Sequence, residues 1–177
     1  MKVLVLSCAQ ARNYVPTEPT LAVRILDPGL NYGCHGVCQP DVPAPLKQSP
    51  FWAAELRFRM ADNDPIRREL EGNYQEAQRL RQDPGTPTLE LALRMREEFG
   101  EAYALHQPTQ LVIHCWAGLS RSTSVAKGLC EYFQIPIDWQ ENGGRKFMLD
   151  HGWIGNMWMY KLIRTGRTDL ASQDSPG

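Results

Sequence analysis

A cysteine and an arginine stand six positions apart in the stretch LVIHCWAGLSRSTSVA, residues 111 to 126. Backbone N–H groups in a tight turn form a concave anion nest, and a following helix N-terminus adds about half a unit of positive charge. The planar fork of Arg121 can hold two oxygens of a phosphate, which a lysine cannot reproduce. The same charges favour a thiolate at Cys115, which would then face the bound phosphorus as a nucleophile.

The turn between Cys115 and the next helix is therefore a predicted phosphate-binding loop. Gly118 allows close backbone approach, and Ser122 can donate a hydrogen bond to the sulfur and help it leave in a second step. The alternative is a buried structural thiol with an unrelated surface arginine, although the whole string is much rarer than a Cys and an Arg at this spacing. The expected phosphate-binding residues are Trp116, Ala117, Gly118, Leu119, Ser120 and Arg121.

Short apolar runs alternate with helical segments along the chain. Alternation of this kind predicts an α/β domain with a mainly parallel central sheet flanked by helices. We expect residues 29–50, rich in turn formers, to be a long surface loop. The predicted strands are residues 3–6, 21–26, 56–60 and 111–114, and the predicted helices are residues 67–81, 89–105, 121–133 and 156–164.

Length and charge narrow the classes of protein. The 177 residues suffice for one domain with a core, and we expect that domain to span residues 1–165, followed by a flexible tail at residues 166–177. The net charge of −1 argues against nucleic-acid or membrane-surface binding. The opening MKVLVLSCA has an apolar run shorter than the roughly 7–15 residues of a signal peptide, so it predicts a strand. The odd number of five cysteines favours reduced thiols in the cytoplasm.

The string HCWAGLSRST, residues 114 to 123, resembles the signature of the cysteine-dependent protein tyrosine phosphatase superfamily. Its form is most similar to the compact dual-specificity and bacterial tyrosine-phosphatase-like members, and the resemblance extends loosely over residues 21–165. It implies a phosphatase-like fold and a reaction without metal or cofactor, in which Cys115 becomes phosphocysteine and Arg121 stabilises the transition state. Ser122 would assist departure of the thiolate, and His114 would set its geometry.

The resemblance also implies a general acid, usually an Asp on a mobile loop about thirty residues before the nucleophile. Counting back from Cys115 reaches Asp83 in RLRQDPGTP. Local context favours Asp62 in LRFRMADNDP, where a strand ends in an acidic turn, and Asp64 is a third candidate. If Asp62 is the acid, residues 66–85 are an insertion. All three carboxylates could instead be solvated turn residues.

The cysteines outside the predicted phosphate-binding loop have several possible roles. CHGVC offers Cys34, His35 and Cys38 as zinc ligands, but structural zinc usually needs four ligands and no second pair is visible. A reversible disulfide from Cys115 to Cys8 or to a thiol of that loop is another interpretation. Cys130, on the helix after the turn, is expected to be an inert residue of the core.

Asn156 falls where the family carries a Pro-Asn pair, with Gly155 in place of the Pro, and we expect a structural role for it.

The sequence thus predicts a phosphomonoester hydrolase acting on phosphotyrosine, or on phosphotyrosine and phosphoserine/threonine, in a phosphorylated protein or small phosphomonoester. Phosphoinositide, nucleotide or RNA 5′-phosphates are alternative substrates for the same chemistry. Phosphoinositide-type members tend to carry a loop lysine, and here no cation precedes Arg121. A non-catalytic phosphate-binding protein, a pseudophosphatase, would keep the nest and Arg121 but have no acid that reaches the site.

Overall fold

Five parallel strands form one sheet in the computed structural model, which describes residues 1–28, 45–140 and 155–168. The spatial order is β3-β2-β4-β1-β5, so the central strand β4 lies between β2 and β1. This arrangement confirms the predicted α/β class with a parallel sheet. The strands are β1 (Lys2–Ser7), β2 (Thr20–Leu26), β3 (Trp52–Arg59), β4 (Gln110–Cys115) and β5 (Asp138–Trp139).

The register of these strands decides which residues meet at the carboxyl edge of the sheet. Ser7 pairs with Cys115 across β1 and β4, and Arg24 pairs with His114 across β2 and β4. Because all the strands run in the same direction, the segments that follow β1, β2, β3 and β4 leave the sheet at one edge. Binding sites in open α/β sheets lie at this edge.

Helices flank the sheet, and the described ones begin at polar caps. Thr88 accepts a hydrogen bond from the Leu91 amide at the start of α4, and Asn156 accepts one from the Met159 amide at the start of α6. The helices are α1 (Cys8–Asn13), α2 (Pro65–Leu70), α3 (Tyr74–Gln82), α4 (Leu89–His106), α5 (Arg121–Tyr132) and α6 (Met157–Thr165).

Two sequence-based boundaries were wrong. The predicted helix at residues 67–81 is two helices, α2 and α3, because Gly72 adopts a left-handed φ of 78° and Asn73 caps a new helix by accepting from the Glu76 amide. Strand β3 begins at Trp52, four residues before the expected position. The residue ranges 29–44, 141–154 and 169–177, which hold most of the predicted surface loop, the CHGVC stretch and most of the predicted tail, lie outside the described residues.

The core has a cluster on each face of the sheet. Val3 and Val5 belong to the larger cluster, with side chains of α4, α5 and α6, whereas Leu4 and Leu6 pack with Ala11 of α1. This division follows from the alternation of side chains along β1. No helix among the described residues combines the length and the apolar character needed to cross a bilayer.

Candidate functional site

Cys115 is the last residue of β4, and Arg121 is the first residue of α5. The five residues between them, 116–120, form a turn that we call the 116–120 loop. The Cys115 Sγ atom accepts a hydrogen bond from the Gly118 amide at 3.3 Å and lies 3.3 Å from the Ser122 hydroxyl. The sulfur therefore lies at the base of the loop, and only 3% of the Cys115 residue is exposed.

Gly118 fits its position for two separate reasons. Its φ is +71°, in the left-handed region that side chains rarely adopt. A Cβ atom at this position would also lie 2.4 Å from the carbonyl carbon and oxygen of Leu6 in β1. Since β1 is hydrogen-bonded to β4, the strand cannot move away, and only glycine brings the loop this close to the sheet.

Neighbouring groups hold the backbone of the 116–120 loop at several points. The Cys8 amide donates to the Trp116 carbonyl at 3.0 Å, and the Thr123 hydroxyl donates to the Leu119 carbonyl at 2.7 Å. The Trp116 and Leu119 side chains are about 40% exposed, so neither packs beneath the loop. The loop thus presents apolar side chains to solvent around a buried sulfur.

Arg121 is only 6% exposed, although its side chain is charged. Its Nη1 atom donates to the Asp27 carboxylate at 2.6 Å and to the Met60 carbonyl at 2.9 Å. Within the described part of the chain its buried Nε–H has no hydrogen-bond partner. A buried guanidinium fixed at one nitrogen and unpaired at another is suited to bind an oxyanion.

Asp27 is a site residue that the sequence reasoning missed. It directly follows β2, and its carboxylate forms an ion pair with Arg121, which is 94 residues away in the sequence. The available signal was its position directly after a buried strand. In a parallel sheet that position lies at the same edge as the residue after β4.

His114 directly precedes Cys115 in β4 and is buried with a cation beside it. The Arg24 Nε donates to the His114 Nε2 at 3.0 Å, and Arg24 Nη1 forms an ion pair with Glu55 at 2.7 Å. Burial, followed by the positive charge of Arg24, lowers the pKa of His114 from its ordinary 6.5 to about 4. Since Nε2 accepts a hydrogen bond from Arg24, the neutral imidazole carries its own proton on Nδ1.

Asp62 is the candidate acid that contacts the 116–120 loop. The Ser120 hydroxyl donates to its Oδ1 at 2.6 Å, and the Asn156 side-chain amide donates to the same oxygen at 3.1 Å. The residue is exposed, at the rim of the loop. Both hydrogen bonds end on Oδ1, which allows Oδ2 to carry a proton.

The other two acidic candidates have structural contacts. Asp64 is 9% exposed, and its carboxylate accepts from the Arg67 amide at the start of α2 and from the Met157 and Trp158 amides at the start of α6. It therefore caps two helices at once. Asp83 ends α3 and accepts from the Gly85 amide at 2.8 Å.

Gly155 and Asn156 join the last helix to the 116–120 loop. A Cβ atom on Gly155 would lie 2.2 Å from the Ser120 Cα, so the two backbones touch. The buried Asn156 side chain accepts a hydrogen bond from the Met159 amide and donates one to Asp62. Its backbone N–H donates to the hydroxyl oxygen of Ser124. The structure thus agrees with the structural role expected for Asn156.

The remaining cysteines divide between described and undescribed residues. Cys130 is buried in the core of α5, where burial raises the pKa of its thiol to about 12, as expected of an inert packing residue. Cys8 follows Ser7, which pairs with Cys115 across the sheet. The proposed zinc ligands of residues 34–38 lie outside the described residues. In the part of the chain that is described, no group of three or more His, Cys, Asp or Glu residues could hold a metal ion.

The site combines a buried thiol, a partly paired guanidinium and an exposed carboxylate around one loop. These groups can act as a nucleophile, an oxyanion binder and a proton donor. Searches of protein-family models, of curated proteins and of solved structures found nothing that matches this chain.

Substitution of Gly118 tests the packing of the loop on β1. We expect Gly118→Ala to lower the free energy of unfolding by about 3 kcal/mol, because left-handed strain and backbone overlap act together. Gly72→Ala is the matched control, since Gly72 has a φ of +78° but no atom within 4 Å of its would-be Cβ. Its expected loss is about 1 kcal/mol, from strain alone. Equal losses in urea unfolding would contradict the close approach.

The buried His114 should make stability depend on pH. Because its pKa is about 4 in the folded protein and 6.5 ordinarily, the unfolded chain takes up the proton first as the pH falls. The free energy of unfolding should therefore drop between about pH 6.5 and about pH 4, by about 1.4 kcal/mol per pH unit at most.

Urea unfolding at a series of pH values measures this dependence. His114→Gln keeps an acceptor for Arg24 but does not titrate, so its slope over this window should be smaller than that of the wild type. His106→Gln, at the exposed end of α4, is the matched control and should keep the wild-type slope. A His114→Gln protein with the wild-type slope would show that this histidine is not the group responsible.

Proposed function

We propose that this protein hydrolyses phosphomonoesters through a phosphocysteine intermediate, as a protein phosphatase of the cysteine-dependent tyrosine phosphatase type. The observation that carries the proposal is the arrangement around one sulfur. Cys115 Sγ lies 3.3 Å from both the Gly118 amide and the Ser122 hydroxyl, and Arg121 begins the following helix with a buried, unpaired Nε–H among the described residues. A thiolate and an oxyanion-binding guanidinium are the two groups that such a reaction needs.

In the first step, the Cys115 thiolate attacks phosphorus in line with the leaving oxygen. An S–P bond forms, the P–O bond to the substrate breaks, and Asp62 transfers its proton to the departing alkoxide or phenoxide. Arg121 and the amides of the 116–120 loop stabilise the equatorial oxygens as charge develops on them. The Asp27 carboxylate and the Met60 carbonyl hold Arg121 in place for this role.

In the second step, water hydrolyses the phosphocysteine. The Asp62 carboxylate accepts a proton from the attacking water, the S–P bond breaks, and inorganic phosphate leaves. The Ser122 hydroxyl, 3.3 Å from the sulfur, donates a hydrogen bond to the thiolate that departs. Asp62 thus returns to its protonated form and Cys115 to its thiolate, which completes the cycle without metal or cofactor.

The exposure and the contacts of the three candidate acids support Asp62 over Asp64 and Asp83. Asp62 is exposed and is hydrogen-bonded to Ser120 in the loop itself. Asp64 is buried, and its carboxylate accepts hydrogen bonds from three backbone amides. If Asp64 left this position to act as an acid, the N-termini of α2 and α6 would lose those hydrogen bonds. Asp83 bonds the backbone of its own turn.

The composition of the loop favours a protein substrate. It presents Trp116 and Leu119 to solvent, which suits contact with a peptide or an aromatic ring, and it contains no lysine that would meet the extra phosphates of an inositol. We propose phosphotyrosine, alone or together with phosphoserine/threonine, as the substrate class, and a cytoplasmic location on the basis of the odd cysteine count.

Removal of the nucleophile is the direct test. Cys115→Ser should lower the hydrolysis of p-nitrophenyl phosphate, assayed in EDTA, by at least about 10³-fold. Cys130→Ala, which removes a thiol from the core of α5, serves as the control and should retain turnover if it folds. Acid quenching of a turnover with ³²P-labelled substrate should trap label on the wild type and not on Cys115→Ser. Wild-type rates in Cys115→Ser would overturn the mechanism, and tight phosphopeptide binding without turnover in the wild type would favour a pseudophosphatase.

The identity of the acid is tested by varying the leaving group. Asp62→Asn should lower the turnover of phenyl phosphate, a poor leaving group, by about 10²–10⁴-fold, and that of p-nitrophenyl phosphate by much less. Asp83→Asn is the matched control and should keep both rates near the wild-type values. The assignment fails if Asp62→Asn affects both substrates equally, or if Asp83→Asn shows the leaving-group dependence.

A further inference from the structure

A buried arginine of β2 contacts the residue that precedes the nucleophile in β4. Arg24 lies opposite His114 in the register of the two strands, and its Nε donates to the His114 Nε2 at 3.0 Å. Its Nη1 forms an ion pair with Glu55 of β3 at 2.7 Å. Arg24 is 1% exposed and His114 is 2% exposed. These contacts cross three adjacent strands and end next to Cys115, although neither side chain takes part in the two reaction steps described above.

Arg24 decides which nitrogen of the imidazole carries the proton. A guanidinium has N–H donors but no acceptor, and it does not lose its proton in a folded protein. Burial and the charge of Arg24 lower the pKa of His114 to about 4, so the imidazole is neutral near neutral pH. Because Arg24 can only donate, Nε2 has to accept and Nδ1 has to be protonated. An amide or a hydroxyl in the same place could donate or accept, and it would allow both tautomers.

The tautomer of His114 determines which group meets the backbone of Cys115. Within the described part of the chain, the buried Nδ1 atom has no hydrogen-bond partner of good geometry. The backbone of Cys115 nevertheless lies close enough to offset part of the lowering of the imidazole pKa that burial and Arg24 cause. A backbone oxygen has this effect because it attracts an N–H. In the other tautomer the lone pair of Nδ1 would repel that oxygen.

The effect of His114 on the sulfur passes through the main chain. Side chains alternate between the two faces along β4. Cys115 belongs to the larger core cluster, whereas Val112, which shares a face with His114, belongs to the smaller one. The imidazole and the sulfur therefore lie on opposite faces of the sheet. A shift of the peptide that joins His114 to Cys115 would move Sγ away from the Gly118 amide and the Ser122 hydroxyl, each of which is 3.3 Å away.

We infer that Arg24 is a positioning residue for the nucleophile: it holds His114 with its proton on Nδ1 and thereby fixes the main chain at Cys115. Glu55 supports this role by holding the far end of the guanidinium. The expected effect on turnover rests on the proposed function. The tautomer of His114 and the reactivity of the Cys115 thiol can be measured without it.

The test compares Arg24→Gln with Arg24→Lys in the full chain. A glutamine amide can donate or accept, so Arg24→Gln should show both tautomers of His114, whereas a lysine only donates and should keep the proton on Nδ1. ¹⁵N NMR of histidine-labelled protein near neutral pH distinguishes the tautomers, and loss of a signal in His114→Gln identifies the residue. Arg57→Gln is the matched control, since Arg57 also pairs with Glu55, and it should keep the wild-type spectrum.

Two rates report whether the tautomer matters to the nucleophile. Arg24→Gln should lower kcat for p-nitrophenyl phosphate about tenfold, because the sulfur is misplaced, and should leave KM nearly unchanged. The alkylation of Cys115 by iodoacetate, followed by mass spectrometry, should slow by a similar factor. Arg24→Lys should recover most of both rates, and Arg57→Gln should keep them. If Arg24→Gln does not fold, Arg24→Met, which has an apolar side chain of similar length and no donor, is measured in its place.

The inference is overturned if the variant that lacks Arg24 keeps a single Nδ1–H tautomer, or if the tautomer changes while both rates stay at the wild-type values. It is also overturned if Arg57→Gln causes the same losses, because the loss of any arginine beside Glu55 would then be sufficient. A wild type that hydrolyses no phosphomonoester, but whose tautomer and alkylation rate respond to Arg24→Gln, would overturn the hydrolase proposal and support the role of Arg24.

Discussion

The in-register parallel pairing of β4 with β1 and β2 is the constraint on which the site depends. It places Cys115 beside Ser7 and His114 beside Arg24, and it brings the segments that follow these strands to one edge. The 116–120 loop then has to turn against the backbone of β1, where a Cβ at Gly118 would overlap Leu6. The position of the sulfur is thus set by main-chain hydrogen bonds of the sheet.

Two buried arginines, Arg24 and Arg121, lie close to this edge and differ in how completely their N–H groups are paired. Arg24 is 1% exposed and is paired with His114 and Glu55, so its guanidinium is engaged by contacts within the protein. Arg121 is also buried but keeps an Nε–H without a partner among the described residues. Burial of a guanidinium group carries a large desolvation penalty unless a negative charge lies beside it. Glu55 supplies that charge for Arg24, and Asp27 supplies it for Arg121. The remaining Nε–H donor of Arg121 is the group that would bind an oxyanion in the proposed reaction.

The parts of the structure that were predictable from sequence are those that depend on contiguous residues. The apolar run before Cys115 and the amphipathic run after Arg121 predicted the strand and helix that the structure contains. Asp62 was favoured as the acid because a strand ends there in an acidic turn, and the structure brings its carboxylate to Ser120. The break between α2 and α3 was missed because one left-handed glycine, Gly72, outweighs the helical tendency of the charged residues around it. The Asp27–Arg121 pair was missed because it depends on β2 and β4 being neighbours, which no local pattern encodes.

Asp64 and Asn156 join the segment after β3, which carries Asp62, to the start of α6. Asp64 caps α2 and bonds the first amides of α6, while Asn156 caps α6 and reaches back to the Asp62 carboxylate and the Asn63 carbonyl. The segment that carries Asp62 is therefore held by hydrogen bonds on both sides. If Asp62 is the proton donor of the proposed reaction, these hydrogen bonds fix its position, so that little conformational entropy is lost when it acts.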